Sequence, residues 1–377
     1  RIRHILPRGK RGRSPCPLPG ARRLDLSGFL LLPGLINAHD HLEFNLFPRL
    51  GSGPYRNFRE WAEDVYHPAQ SPVRNQLQIP KLARIWWGAL KSLLSGVTTV
   101  CHHNSPIPEQ LTEQIPVQVL RRYGWAHSLA YGGDITKAFR ATPPGAAFFI
   151  HLAEGTDAVS RNEIFELDRL GALSPRTVIV HGAGLDAAGH ELLERSGAGL
   201  VSCPTSNLFT LGTTLGREEL TRHRGVALGS DSAMTATGDL LNEIRYAHCE
   251  AGLSAERTYQ MVTGSAADLL RLSKRAGRLQ HGAPADLIAV PDAGLSPCEA
   301  LVNLLHEQVE LVMVRGEPTL LSCHLAGRLP ESILEGFKPL RAGSIERLVK
   351  APVSALLQQA RTCLGDEVHL AGRLIAK

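Results

Sequence analysis

His39 and His41 stand two residues apart in "LLPGLINAHDHLEF", residues 31–44, an apolar run interrupted at Pro33-Gly34 that ends in imidazoles. Side chains i and i+2 of a β-strand share a face, so both rings can address one point. Other apolar runs end in the same way. "AAFFIH" finishes in His151, with Glu154 three residues later, "TVIVH" in His181, and "VALGSD" in Asp231. His39, His41 and His151 together with the Asp231 carboxylate would form a nitrogen-rich, partly open shell suited to one divalent metal ion, Zn or Fe. A cation of that kind lowers the pKa of a water beside it to ~7, so the chemistry on offer is hydrolysis. One HxH among 16 histidines would mean little, but ligating residues closing strand after strand mean much more.

Such residues must be carried by elements that bring distant segments together. Short apolar runs at 30–37, 97–101, 124–130, 146–151, 176–181, 198–203 and 225–230 read as strands. Helical patterns near 81–95, 160–170, 185–196 and 214–223 lie between them. Strand-then-helix alternation predicts βαβ units and a parallel sheet. In a parallel barrel the C-terminal strand ends converge on one face, which is where these ligands fall. Only about 20 residues separate the third run from "AAFFIHLAEG", too few for a full unit. The expected fold is therefore α/β, a (β/α)8 TIM-like barrel with one shortened βα unit.

A barrel takes ~250 residues, and the chain has 377. After helices near 239–251 and 255–272, "GRLQHGAPADLIAV" and "QVELVMVRGEPTLLS" read as antiparallel strands with Gly-rich turns. The expected organisation is an N-terminal part of a small β domain at 1–32, the barrel at 33–272, the C-terminal part of the β domain at 273–325, and a helical extension at 326–377. The small domain is expected as a β-sandwich built from both ends of the chain.

On these residues the chain resembles the amidohydrolase superfamily, and within it the mononuclear aminohydrolase branch that holds guanine, cytosine, triazine and S-adenosylhomocysteine deaminases. "LLPGLINAHDHLEFNLF" is similar to that family's Pro-Gly-Leu-Ile-Asn-x-His-x-His opening, and "IHLAEG" to its His-x-x-Glu strand. "VSCPTSNLFTLG", "VALGSDSA" and "GRLQHGAPADLIAV" resemble three later signatures, in the same order. The resemblance implies that His39, His41, His151 and Asp231 bind the metal and that Glu154 shuttles protons. It also implies that His181 polarises the substrate or orients the attacking water. Asp231, beside the metal, would take a proton from water. No lysine ends a middle strand, which argues against a carbamylated-lysine dinuclear site.

The implied reaction is hydrolytic deamination of a small nitrogen heterocycle; opening of a cyclic amide or imidazolone ring, or a non-enzymatic barrel scaffold, are the alternatives. In the loop "PRLGSGPYRNFREWAEDVYHP", residues 48–68, Arg49, Tyr55, Trp61 and Tyr66 are candidates to stack on or hydrogen-bond a flat ring. Asn207 is another pocket candidate. His102 and His103 stand where many relatives carry an acid, as candidates for substrate or a second metal.

Composition is that of an ordinary soluble globular protein: 43% hydrophobic, 20% charged, and no apolar run near the ~20 residues that span a bilayer. Seven scattered cysteines without a CxxC argue for reduced thiols and a cytoplasmic setting. The +5 net charge gathers at residues 1–23, whose Lys and Arg precede the first acid, Asp25. Without aromatic platforms that segment reads as a solvated terminus, not a nucleic-acid site. The expected partner is a small heterocyclic molecule, with neither nucleic acid nor membrane, and homodimerisation is left open.

Overall fold

The computed structural model describes residues 24–273 and 275–377. The basic segment 1–23 and the reading made of it lie outside the described residues.

Pro33-Gly34 divides the expected strand 30–37 into two strands of different sheets, β1 (Phe29–Pro33) and β2 (Leu35–Asp40). The chain changes partners there: Gly34 N–H donates to the Asp286 carbonyl, and Leu35 N–H to that of Gly96. Gly34 is required for space, because a Cβ would lie 2.3 Å from the Thr98 side chain.

Seven more parallel segments follow β2: β3 (Val97–His102), β4 (Gln118–Val119), β5 (Tyr123–Trp125), β6 (Ala147–Leu152), β7 (Thr177–His181), β8 (Gly199–Ser202) and β9 (Val226–Leu228). They form a three-stranded sheet, β2-β3-β4, and a five-stranded one, β5-β6-β7-β8-β9. The interval before β6, expected to lack a full unit, holds helix Ile135–Ala141, and the shortening falls one step earlier, between β4 and β5, which only residues 120–122 connect. The first pairs with β3 and the second with β6, so this stretch serves as one kinked strand. The seam between β9 and β2 is bridged by Asp231 N–H donating to the His39 carbonyl, 3.1 Å. The ladder is thus not continuous around the ring, but the arrangement is that of a TIM-like barrel.

Alternate residues Ala147 and Phe149, Val178 and Val180, with Ile36, Ala38, Val201 and Ala227, fill the interior as one buried cluster. Being covered on both faces, the strands read as near-continuous apolar runs. Helices 158–169, 187–196 and 255–261 begin where Asp157, Asp186 and Ser254 accept a first-turn N–H. The helix Pro204–Leu211 was not among the expected ones; Pro204 opens it and Gly212, in the left-handed conformation, ends it.

Helix Lys81–Leu94 matches its expected position and packs on the turn after β2. Gly88 sets the contact, since a Cβ there would lie 2.3 Å from the Leu42 carbonyl oxygen and 2.8 Å from its Cα. Gly88→Ala must push the helix off this turn, an overpacking cost of ~1–3 kcal/mol. Calorimetry is expected to show a lower Tm, and an unchanged Tm would contradict the packing.

The ends of the chain build the second sheet. β1, β10 (Leu287–Pro291), β11 (Leu311–Val314), β12 (Glu317–Ser322), β13 (Lys338–Ala342), β14 (Ile345–Val349), β15 (His369–Leu370) and β16 (Arg373–Ala376) run antiparallel. Their spatial order is β1-β10-β11-β12-β14-β13-β16-β15. Segment 326–377 is therefore not the helical extension expected of it: beside helix Val353–Leu364 it supplies four strands. The sign was the period-two alternation of "IERLV", which buries Ile345, Arg347 and Val349's positions on one side. No helix among the described residues is long and apolar enough to cross a membrane.

Candidate active site

The strand ends bring the candidate ligands together in two overlapping groups that share His39. His39 lies in β2 and His41 directly follows it, His151 lies in β6, His181 ends β7, and Asp231 follows β9. All five are buried. Nitrogens of His39, His151 and His181 lie within 4.8 Å of one another, as do the ligating atoms of His39, His41 and Asp231. His181 and Asp231 hold left-handed backbone, φ 75° and 53°, which non-glycine residues seldom adopt. Such conformations persist where the surroundings enforce them, commonly at functional sites. Gly229 permits the close approach of β9 to β2, since a Cβ there would fall 2.6 Å from that of His39.

The hydrogen bonds determine where each imidazole carries its proton. His103 Nε2 donates to the Ala126 carbonyl, 3.0 Å, so its Nδ1 is a lone pair. His39 Nδ1, 3.3 Å from that lone pair, carries the proton it receives, leaving His39 Nε2 bare. His151 Nδ1 donates to the His127 carbonyl, 2.7 Å, leaving His151 Nε2 bare as well. The two bare nitrogens face each other at 3.3 Å with no proton between them. Additional protons are opposed, because burial pushes His39 down to about 3 and His103 and His151 well below the usual imidazole range. His181 Nδ1 donates to Asn207 Oδ1, 2.8 Å, which turns a third lone pair inward.

Asp231 adds the negative charge. Burial alone would raise its pKa, but the imidazoles of His39, His181 and His41 around it hold it well below the usual carboxylate range. Its Oδ1 lies 3.7 Å from His39 Nε2 and 3.6 Å from His41 Nε2. Its Oδ2 accepts from Ser206 Oγ, 2.6 Å, and Thr235 Oγ1, 3.3 Å. His41 Nδ1 is buried without a partner. Lone pairs and a carboxylate directed at one another are unfavourable alone and favourable around a cation, so the donor set fits a divalent metal ion.

Glu154 borders this group, its Oε2 3.5 Å from His181 Nε2. Burial, reinforced by the charges of Asp231 and Glu163, raises its pKa well above the usual carboxylate range, which favours its protonated form. Glu163 fixes the turn before it by accepting from Ala153 N–H, 2.7 Å.

The remaining expected residues are placed differently. His103 stacks on His151 at 4.1 Å between centroids and lies behind His39, so it orients a metal-facing ring and does not line the mouth. His102 is buried away from it, with Nδ1 accepting from Leu42 N–H and Nε2 3.3 Å from Glu43 Oε2. Trp61 Nε1 donates to the Leu50 carbonyl, and the ring packs with Phe47, Val73 and Met234 at the rim. Tyr66 is exposed at a helix end, Tyr55 donates to Asp64, and the Arg49 guanidinium lies over the Phe209 ring at 4.4 Å. Asn207 is turned to His181, with its Nδ2 donating to Thr214. Sequence reasoning missed Ser206 and Thr235, which hold Asp231, although Ser206 stands beside Asn207 in "CPTSN".

A model described as the amidohydrolase family matches residues 145–319. The chain is 28% identical over 336 residues to a 5-methylthioadenosine/S-adenosylhomocysteine deaminase of Syntrophobacter fumaroxidans, covering 71% of this chain and 74% of that one. To the Pyrococcus furiosus protein of the same name it is 25% identical over 403 residues, covering 87% and 91%. Among solved structures it is similar to an adenosine deaminase from Xanthomonas campestris with bound zinc, at TM-score 0.65, 19% identity, and 89% and 85% coverage. It is also similar to Helicobacter pylori aminofutalosine deaminase in complex with methylthio-coformycin, at TM-score 0.56, 18% identity, and 77% and 87% coverage. Motifs, relatives and fold are all similar to those of amidohydrolases, and the relatives named here are deaminases.

Proposed function

We propose that this amidohydrolase of the deaminase branch hydrolytically removes an amino group from a small nitrogen heterocycle, with one Zn or Fe ion held by His39, His41, His151 and Asp231. The observation that carries the reading is the pair of unprotonated Nε2 atoms of His39 and His151, 3.3 Å apart beside an ionised Asp231. The metal, when bound, supplies Lewis acidity that polarises water and lowers its pKa to ~7. Asp231 Oδ1 is ionised beside the ligand nitrogens and accepts a proton from the attacking water. Glu154, whose protonated form burial favours, delivers its proton to a ring nitrogen, then takes the proton that the new hydroxyl loses on becoming a carbonyl and passes it to the departing amine. His181, oriented by Asn207 with its Nε2 lone pair turned inward, accepts from and aligns the attacking water.

The relatives are named for adenosine-type compounds, so 5-methylthioadenosine, S-adenosylhomocysteine and adenosine lead the test panel, followed by aminopyrimidines and aminotriazines. A coupled ammonia assay is expected to find release from one of these classes. Turnover of cyclic amides without ammonia would replace the reading with ring opening. The barrel at 33–272 is the catalytic unit of this proposal, which also holds the protein to be cytoplasmic and without a nucleic-acid partner. Light scattering decides whether it is a homodimer.

Asn207 acts through His181. Asn207→Ala releases the ring's Nδ1, and loss of such an orienting partner typically costs 10–100-fold. The expected result is kcat/KM reduced ~10-fold or more with metal content retained. Wild-type kcat/KM in this variant would remove Asn207 from the mechanism.

A further inference from the structure

Asp40 separates the two histidines of β2, and its side chain turns from them toward helix 81–94, where it meets Lys91. The pair is sequestered, with Asp40 0% and Lys91 2% exposed. Asp40 Oδ2 accepts from Lys91 Nζ at 3.1 Å, Ser230 Oγ at 3.0 Å and Asn37 Nδ2 at 3.0 Å, and Oδ1 accepts from Asn45 at 2.7 Å. Lys91 Nζ also donates to Ser230 Oγ, 3.1 Å, and to the Asp231 carbonyl, 3.4 Å. Ser230 N–H donates in turn to Asn37 Oδ1, 3.0 Å.

The network therefore ties β2, the residues after β9, the turn carrying Asn45, and one helix. These include the segments that present His39, His41 and Asp231. Burying an ion pair is seldom a gain in stability over apolar residues of similar volume, so stability alone does not account for it. Its location does. Both peptide groups of Asp231, a residue with φ 53°, are held: N–H by the His39 carbonyl and C=O by Lys91.

We propose that Lys91 is a positioning residue: through Asp40, Ser230 and the Asp231 carbonyl it fixes the spacing between the β2 imidazoles and the Asp231 carboxylate, and so sets metal affinity and geometry. This rests on the metal reading given above. Electrostatics and positioning predict opposite signs. Removing the ammonium leaves an uncompensated Asp40 carboxylate, whose field alone would tighten binding of a cation. Loss of positioning weakens it.

The metal-free wild type and Lys91→Met are titrated with zinc against a chromophoric chelator, and with cobalt(II) followed by its visible spectrum. The expected result is zinc affinity ~10-fold or more weaker in Lys91→Met, in line with losses of outer-shell partners. Its cobalt bands at saturation are shifted, and they remain shifted in Asp40→Asn/Lys91→Met, where the unpaired charge is gone. Ser230→Ala, which keeps both charges, gives a smaller loss of the same sign and decides the matter if Lys91→Met does not fold. Equal or tighter affinity with the wild-type cobalt spectrum overturns the positioning role alone. Wild type that binds neither ion overturns the metal reading, and this inference with it.

Discussion

Glu154→Gln is expected to fold, to hold its metal ion and to lose turnover by ~10²–10⁴-fold, the range of a positioned general acid–base group. Glu154 is not among the atoms that converge on the cation position; it stands at its border, 3.5 Å from His181 Nε2. Burial and the charges of Asp231 and Glu163 raise its pKa well above the usual carboxylate range, a shift that favours the protonated form a general acid needs. Glutamine preserves the volume and a donor but cannot release a proton. Steady-state kinetics with metal analysis of the same sample checks the prediction, and retained turnover would exclude Glu154 from proton transfer.

His39→Ala is expected to abolish metal binding. His39 is the centre of the cluster: its Nδ1 reaches His103, its Nε2 faces His151, and its carbonyl accepts from Asp231 N–H. A ligand that binds only the folded state stabilises it by RT ln(1 + [L]/Kd), about 2.7 kcal/mol at 100 times Kd. Zinc is thus expected to raise the Tm of the metal-free wild type and to leave that of His39→Ala unchanged. An equal rise in both would contradict the ligand assignment. Acid gives a related sign. Burial lowers folded His39 from 6.5 to about 3, so between those values the unfolded chain binds more protons than the native one. The metal-free protein accordingly loses stability as pH falls below 6.5 toward 3, a loss seen as a falling denaturation midpoint and smaller in His39→Ala.

The residues that gather around the candidate cation position were legible in the sequence because each closes or follows an apolar strand, and the geometry of a parallel barrel then brings strand ends together. Other features were hidden for identifiable reasons. The run 30–37 looks like one strand, yet its two halves join different sheets at Gly34, whose role depends on Thr98 far along the chain. Residues 118–125 carry one kinked strand without a helix between its halves, whereas the short interval before β6, where the sequence placed the shortening, does hold helix Ile135–Ala141. Adjacent histidines 102 and 103 look equivalent in "VCHHN", but alternation along β3 sends one toward Glu43 and the other behind His39. Which nitrogen is already committed decides what a histidine can do, and the Ala126 carbonyl that commits His103 is invisible in a motif.

The claim beneath all of this is that one divalent cation sits among His39, His41, His151 and Asp231. Anomalous difference maps collected at the zinc edge from crystals of the zinc-loaded protein test it most directly. The account predicts one strong peak per chain between the Nε2 atoms of the three histidines and Asp231 Oδ1. No peak there, or a peak only elsewhere on the chain, would contradict it.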